Sequence, residues 1–335
     1  MFTAESFCNA IWGFPYSKMP VYSKKDYKTF QIPKKNGIRT ITFLEKNSVL
    51  FSLQQKLLHN YLSTLPLPTC VKGFVQGESY KDFLYAHVGN HFFLRVDINS
   101  FFPSITEKLI VCELDNYLHL EDNDSKVILS LICDIVTVNG ILPQGASTSP
   151  AISNLVMARL DQRILKYCQV FGVNYTRYAD DLLFSSEVFD FNKKTWFLSK
   201  IKSILKTHGF SLNYSKMKYG KEEISLNGYV ISRIEVRLSR NRLSDLRTII
   251  VFINNNQCML RDSKVDEFLL RINEVELKYR DLSQYPFQSL FQLSQYLCGM
   301  RAYLISWIFP DLKTSFQKEL SRLIRRSERA IELLL

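Results

Sequence analysis

The apolar positions alternate between strand-like and helix-like spacing over the first two thirds of the chain and turn helical beyond. Tyr27 to Ile32 and Ile38 to Phe43 are rich in β-branched and aromatic residues, with Pro33-Lys34-Lys35-Asn36-Gly37 between them. An Asn-Gly step between two such runs predicts a β-hairpin. Val49, Leu50, Leu53, Leu57, Leu58 and Tyr61 recur at helical intervals. PLPTCVKGFVQGESY reads as a loop, and Phe92-Phe93-Leu94-Arg95-Val96 as a strand ending on Asp97. Residues 107–137 predict helices. Leu142 to Pro150 predicts a loop into a further helix, with Ser149 as N-cap and Pro150 at its first position.

Val173 to Tyr178 and Leu182-Leu183-Phe184 flank Ala179-Asp180-Asp181, predicting a hairpin with both carboxylates at its tip. Another helix follows (Trp196, Leu198, Ile201, Ile204, Leu205), then a strand pair over 224–232 that turns at Asn227-Gly228. From 233 the pattern is helical. Near the end, Arg322, Arg325, Arg326 and Arg329 form one stripe, roughly opposite Phe316, Leu320, Leu323 and Ile331. The elements predict an α+β protein with a mixed region over 1–232 and a helical region over 233–335.

A chain of 335 residues can bury a substantial core. Composition narrows the class of partner. The net charge of +11 points to a polyanion, most often nucleic acid. Seven scattered cysteines without a C-x-x-C pair argue for reduced thiols in a cytoplasm, against a disulfide framework or a zinc site. Neither a secretory leader nor a membrane span is expected.

Adjacent acids beside an apolar hairpin repel one another and lose hydration, and a hard divalent cation is the usual compensation. A bare Asp-Asp pair is more often a solvated turn. Here a third acid, Asp97, closes a strand 83 residues upstream of Asp180, so the acids can meet only through the fold. A helix entry rich in Gly and hydroxyl residues lies between them, suited to close approach of a phosphate or base. Three carboxylates holding two cations about 4 Å apart would be the apparatus of in-line nucleotidyl transfer.

RVDINSFFPSI, LPQGASTSP, YADD and LNYSK, in this order, resemble motifs A to D of the reverse transcriptase palm. YKTFQIPKKNGIRTI resembles the fingers hairpin, and ISLNGYVIS sits where the primer grip belongs. The chain thus resembles the compact bacterial reverse transcriptases of retrons and other antiviral defence systems, related to group II intron enzymes. Three places depart from the retron pattern: Phe83-Leu84-Tyr85-Ala86-His87 keeps only the histidine of N-A-x-x-H, Leu226-Asn227-Gly228 replaces Val-Thr-Gly, and motif B reads Ala-Ser-Thr-Ser-Pro. Retron and other defence lineages therefore both stay open.

The resemblance implies a right-hand polymerase fold, with fingers and palm built from an antiparallel sheet on helices, and a helical thumb. It implies two Mg²⁺, replaceable by Mn²⁺, on Asp97, Asp180, Asp181 and the Ile98 carbonyl. Phe102 would be the steric gate under the sugar, and Gln144 and Gly145 would line the nucleotide pocket. Lys34 or Lys35 with Arg39 would meet the triphosphate, and Lys216 the leaving pyrophosphate. Asn227, Gly228 and the stripe Arg322, Arg325, Arg326 and Arg329 would bind nucleic acid. The implied activity is RNA-directed DNA synthesis from dNTPs on a structured non-coding RNA, in anti-phage defence, with an effector protein or a second copy as further partner. Template-independent or protein-primed synthesis, and a non-catalytic RNA-binding scaffold, are the alternatives.

Overall fold

The computed structural model describes residues 3–34, 37–118, 120, 122–262, 264–309 and 311–335. The chain divides into two compact units, one of Met1–Ile224 with Ser232–Glu235, the other of Ser225–Ile231 with Val236–Leu335.

In the first unit, α1 (Ala4–Trp12) is anchored by the Trp12 indole, which donates to the Leu53 carbonyl at 3.0 Å. Strands β1 (Tyr27–Lys34) and β2 (Gly37–Leu44) pair antiparallel over their full length, from Tyr27↔Leu44 to Lys34↔Gly37; Gly37 of the Asn-Gly step thus lies in β2, and Asn36 lies outside the described residues. Helix α2 (Val49–Asn60) starts where Ser48 accepts from the Phe51 amide. Helix α3 (Tyr80–Tyr85), strand β3 (Phe92–Asp97) and helices α4 (Glu107–Leu114), α5 (Asp122–Val136) and α6 (Ser149–Val170) follow. Strands β4 (Asn174–Tyr178) and β5 (Asp181–Ser186), helix α7 (Thr195–Lys206) and strand β6 (Lys218–Lys221) complete it.

The predicted start of α6 is off by one residue. Ser149 is already helical, Thr148 takes the cap position without a side-chain cap bond, and the Ser149 hydroxyl instead donates to the Pro143 carbonyl at 2.7 Å. The loop's own hydrogen bond outcompetes the cap.

Within the first unit the main sheet runs antiparallel in the order β4-β5-β3-β6. Side chains alternate along a strand, and directly opposed residues share a face. The pairings Tyr178↔Asp181 and Asp97↔Asp181 therefore put these three on one face. Arg177, Leu182 and Val96 oppose one another on the other face, where Asp161 of α6 meets Arg177. The core of Val96, Leu182, Phe184, Leu155, Leu160, Ile164 and Phe197 is sealed from solvent.

The second unit takes in half of β7 (Glu223–Leu226) and most of β8 (Tyr229–Ser232), then β9 (Val236–Leu238) and helices α8 (Ser244–Asn255), α9 (Gln257–Arg261), α10 (Val265–Asn273), α11 (Leu290–Ile305) and α12 (Ser315–Glu332). Asn227 (φ 48°) and Gly228 (φ 84°) both take the left-handed backbone that a two-residue hairpin turn demands. Leu246, Ile249, Ile250, Phe268, Leu293, Leu297, Leu320 and Leu323 make its core. All four stripe arginines of α12 are exposed, while Phe316, Leu320 and Leu323 are buried. Among the described residues no helix is long and apolar enough to cross a membrane.

Candidate active site

β3 is apolar but for Arg95 and delivers Asp97 at its last position, where Asp181 on β5 lies directly across. The turn from β4 to β5 needs only two residues, Ala179 and Asp180, and Ala179 adopts φ 55° to close it. Asp181 is consequently the first residue of β5 and not part of the tip. That corrects the expectation of two acids at the tip: one sits in the turn, the other in the ladder. The Ile98 amide donates to the Asp180 carbonyl at 2.9 Å, stitching the turn to the end of β3.

Cationic side chains reach two of the three acids. Arg95, two residues before Asp97 and on the same face, donates to Asp181 through Nε (2.9 Å) and a terminal nitrogen (2.6 Å). Lys216 Nζ lies 2.8 and 3.0 Å from the Asp97 carboxylate oxygens. Backbone pairing brings that lysine there: the Asn213 amide donates to the Asp97 carbonyl and the Asn99 amide to the Ser211 carbonyl. Burial first, then the charges of Asp181 and Asp97, push the Asp180 carboxyl above the usual carboxylate range.

Among the described residues no three carboxylate, imidazole or thiol groups converge around one point; Asp181 is turned to Arg95 and Asp97 to Lys216. The donor set nonetheless suits a hard cation. It is all oxygen, it is partly desolvated, and its surplus negative charge already draws two cationic side chains. A metal would exchange with those cations, not enter a finished cage.

Phe101 is core, 4% exposed, and packs on Phe210, whereas Phe102 is half-buried at the start of a short 3₁₀ turn. Gln144 is also half-buried, and its carbonyl accepts from the Thr42 amide of β2 at 2.7 Å. Gly145 (φ 121°) presses so closely on β2 that a Cβ there would lie 2.7 Å from the Thr42 oxygen. Lys34 and Arg39 occupy opposite strands of the β1–β2 hairpin. Their side chains, and Lys35 entirely, lie outside the described residues. Asn227, Gly228 and the stripe arginines belong to the second unit and are described there.

Several residues with a structural claim on the site were given no role by the reading of the sequence. Arg177 is fully buried, grips both oxygens of Asp161 (2.7–3.0 Å) and donates to the Ala179 carbonyl at 3.1 Å, bracing the acidic turn from behind. Residues 70–72 run parallel to β4, with the Arg177 amide on the Cys70 carbonyl and the Lys72 amide on the Arg177 carbonyl, each at 2.8 Å. Gly73 follows, and a Cβ on it would meet the Ala179 nitrogen at 2.7 Å. His87, the histidine kept from the N-A-x-x-H pattern, is sealed between the Ser185 and Thr176 hydroxyls (2.6 and 2.7 Å), and burial lowers its pKa to about 3. Gly73 stood in a visible Gly-rich loop; Arg177 and Asp161 carried no local signal.

An antiparallel sheet backed by helices, with acids at two adjacent strand ends, defines the palm of a right-hand polymerase fold. Residues 32–231 match the family described as reverse transcriptase (RNA-dependent DNA polymerase). The chain belongs to the reverse transcriptase family. It is 29% identical to the retron Ec86 reverse transcriptase of Escherichia coli over 224 residues, 66% of this chain and 68% of that one. It is 36% identical to the retron Mx65 reverse transcriptase of Myxococcus xanthus over 176 residues, 49% of this chain and 41% of that one. In fold it is similar to the apo telomerase of Candida tropicalis, with a TM-score of 0.52 at 12% identity over 94% of this chain and 58% of that one.

Proposed function

We propose that this protein is an RNA-directed DNA polymerase that copies a structured non-coding RNA dedicated to it, in a retron or another anti-phage defence system. The cross-strand pairing of Asp97 with Asp181, with Asp180 in the turn beside them, carries the reading. It brings together residues 83 and 84 positions apart in the chain, at adjacent strand ends of one sheet. The relatives named for retrons support the template class.

Asp97, Asp180 and Asp181, with the Ile98 carbonyl, would hold two Mg²⁺. Bound there, the ions would lower the pKa of a primer hydroxyl and neutralise the pyrophosphate leaving group. Phe102 would exclude a 2′-hydroxyl, and Gln144 and Gly145 would bound the nucleotide pocket. Lys216 would release Asp97 and turn to the departing phosphates, while Lys34 or Lys35 with Arg39 would hold the triphosphate. The exposed arginines of α12, with Asn227 and Gly228, would track a nucleic-acid backbone.

Asp97→Asn and Asp180→Asn test this. Each should cut primer extension on an RNA template with Mg²⁺ by at least about 10³-fold, the scale of losing charge stabilisation at a reacting centre. In chelator Asp180→Asn should not lower the melting temperature, since it removes a carboxylate that Asp181 and Asp97 repel. Extension at the wild-type rate by either variant would refute the assignment.

A further inference from the structure

Phe74 presents a conflict within its own loop. Its backbone is left-handed (φ 61°), a conformation that bulky residues avoid and glycine adopts freely. Glycine stands beside it at 73 and again at 77, yet this position carries a large aromatic ring that is 48% exposed. A glycine here would relieve that strain but give up every contact the ring can make.

The loop is held tightly. Gly73 abuts the Ala179 nitrogen so closely that no side chain fits. The fully buried Asn154 donates to the Gly73 carbonyl at 2.8 Å. The Phe74 ring lies 6.0 Å from that of Tyr178, which Tyr80 (4.9 Å) and Phe83 (5.9 Å) back. Tyr178 shares its sheet face with Asp97 and Asp181 and immediately precedes the acidic turn. An aromatic ledge therefore stands beside the three acids, and Phe74 is its exposed edge.

We propose that Phe74, backed by Tyr178, is a contact surface for the nucleobase at the 3′ end of the strand being extended. This rests on the polymerase reading above. A strand whose terminal hydroxyl reaches the acids brings its last base next to the turn. An aromatic face there binds any of the four bases, because each has a π surface, as a polymerase requires. The rigid support by Gly73 and Asn154 fixes the ring relative to the turn, so holding the base also holds the hydroxyl at the acids.

The test compares two DNA primers on an RNA template, identical except that one ends in an abasic residue. The wild-type protein should bind the intact end about 10- to 100-fold more tightly, the range of one base–aromatic stack. Phe74→Gly relieves the backbone strain, so its melting temperature should stay within about 4 °C of wild type while it binds both ends alike. Phe74→Leu keeps the bulk and the strain but has no π face; it should also lose the preference. Phe74→Trp should keep it. Retention of the preference by Phe74→Gly or Phe74→Leu overturns the proposal, as does its absence from the wild type. Should the wild type bind neither duplex, the polymerase reading falls and takes this one with it.

Discussion

Arg177 and Arg95 each grip an aspartate with more than one hydrogen bond, on opposite faces of one sheet. The Arg177–Asp161 pair is 0% exposed on both sides, and Asp161 also accepts from the Tyr175 hydroxyl while Arg177 also donates to the Ala179 carbonyl. The Arg95–Asp181 pair is 10% exposed on both sides and shares its space with Asp97, Asp180 and Lys216. Identical chemistry thus has two consequences. On the helix-covered face, charges are matched and sealed, so the pair is fixed scaffold. On the acid-bearing face negative charge is in surplus, so the arginine is one of several cations that can fill the place.

Breaking the sealed pair should give the largest effect. Asp161→Asn leaves the Arg177 guanidinium buried without its carboxylate, which costs about 3–5 kcal/mol of stability. Urea denaturation measures the loss, and added Mg²⁺ should not restore it. Arg95→Gln should behave differently. Removing that cation leaves three acids facing one lysine, and the resulting loss should be recovered by Mg²⁺. Equal losses in both variants, both insensitive to Mg²⁺, would erase the distinction between the two faces.

A second test acts on the turn that joins them. Gly73→Ala pushes a methyl group into the Ala179 backbone nitrogen, an atom that cannot swing aside. The turn carrying Asp180 must shift by some tenths of an ångström or more. Misplacing reacting groups on the ångström scale can cost about 10²-fold in rate, and extension by this variant should fall toward that, with template binding little changed. An unaltered kcat would mean that the turn is soft and that its bracing by residues 70–73 is incidental.

How far the sequence foretold this architecture depends on the range of the interaction. Strand and turn chemistry is local, so the β1–β2 hairpin, the strand ending on Asp97 and the Asn227-Gly228 turn were all legible from residue types. The motifs also carried their order along the chain. Pairing partners were not legible. Nothing around Asp161 announces that it will neutralise an arginine 16 residues later through a helix–sheet contact, and Arg95 reads as an ordinary interruption in an apolar strand. Gly73 was visible as a loop glycine, but the reason for it lies 106 residues away at Ala179. The start of α6 shows the limit even of local rules, since Ser149 had two hydrogen-bond choices and the sequence does not rank them.

The smallest expected effect is the most direct probe of the surplus charge. Burial and the neighbouring Asp181 and Asp97 raise the Asp180 carboxyl above the usual range, so the folded protein holds that proton more tightly than the unfolded chain does. Between the unfolded pKa of about 3.9 and the higher folded value, the folded state binds more protons, and stability from this group falls as pH rises. Below that window the penalty is absent; above it the penalty is fully present. In chelator, then, Asp180→Asn should be more stable than wild type at neutral pH and lose that advantage as the pH drops through the window. Magnesium should reverse the order at neutral pH, because cation binding to the wild-type carboxylate stabilises the fold while the amide forgoes it. Thermal melts of both proteins, with and without Mg²⁺ across the acid range, measure all of this. An Asn variant that is less stable in chelator at neutral pH would mean that the Asp180 carboxylate is already compensated within the fold, leaving the acid-bearing face as closed as the other.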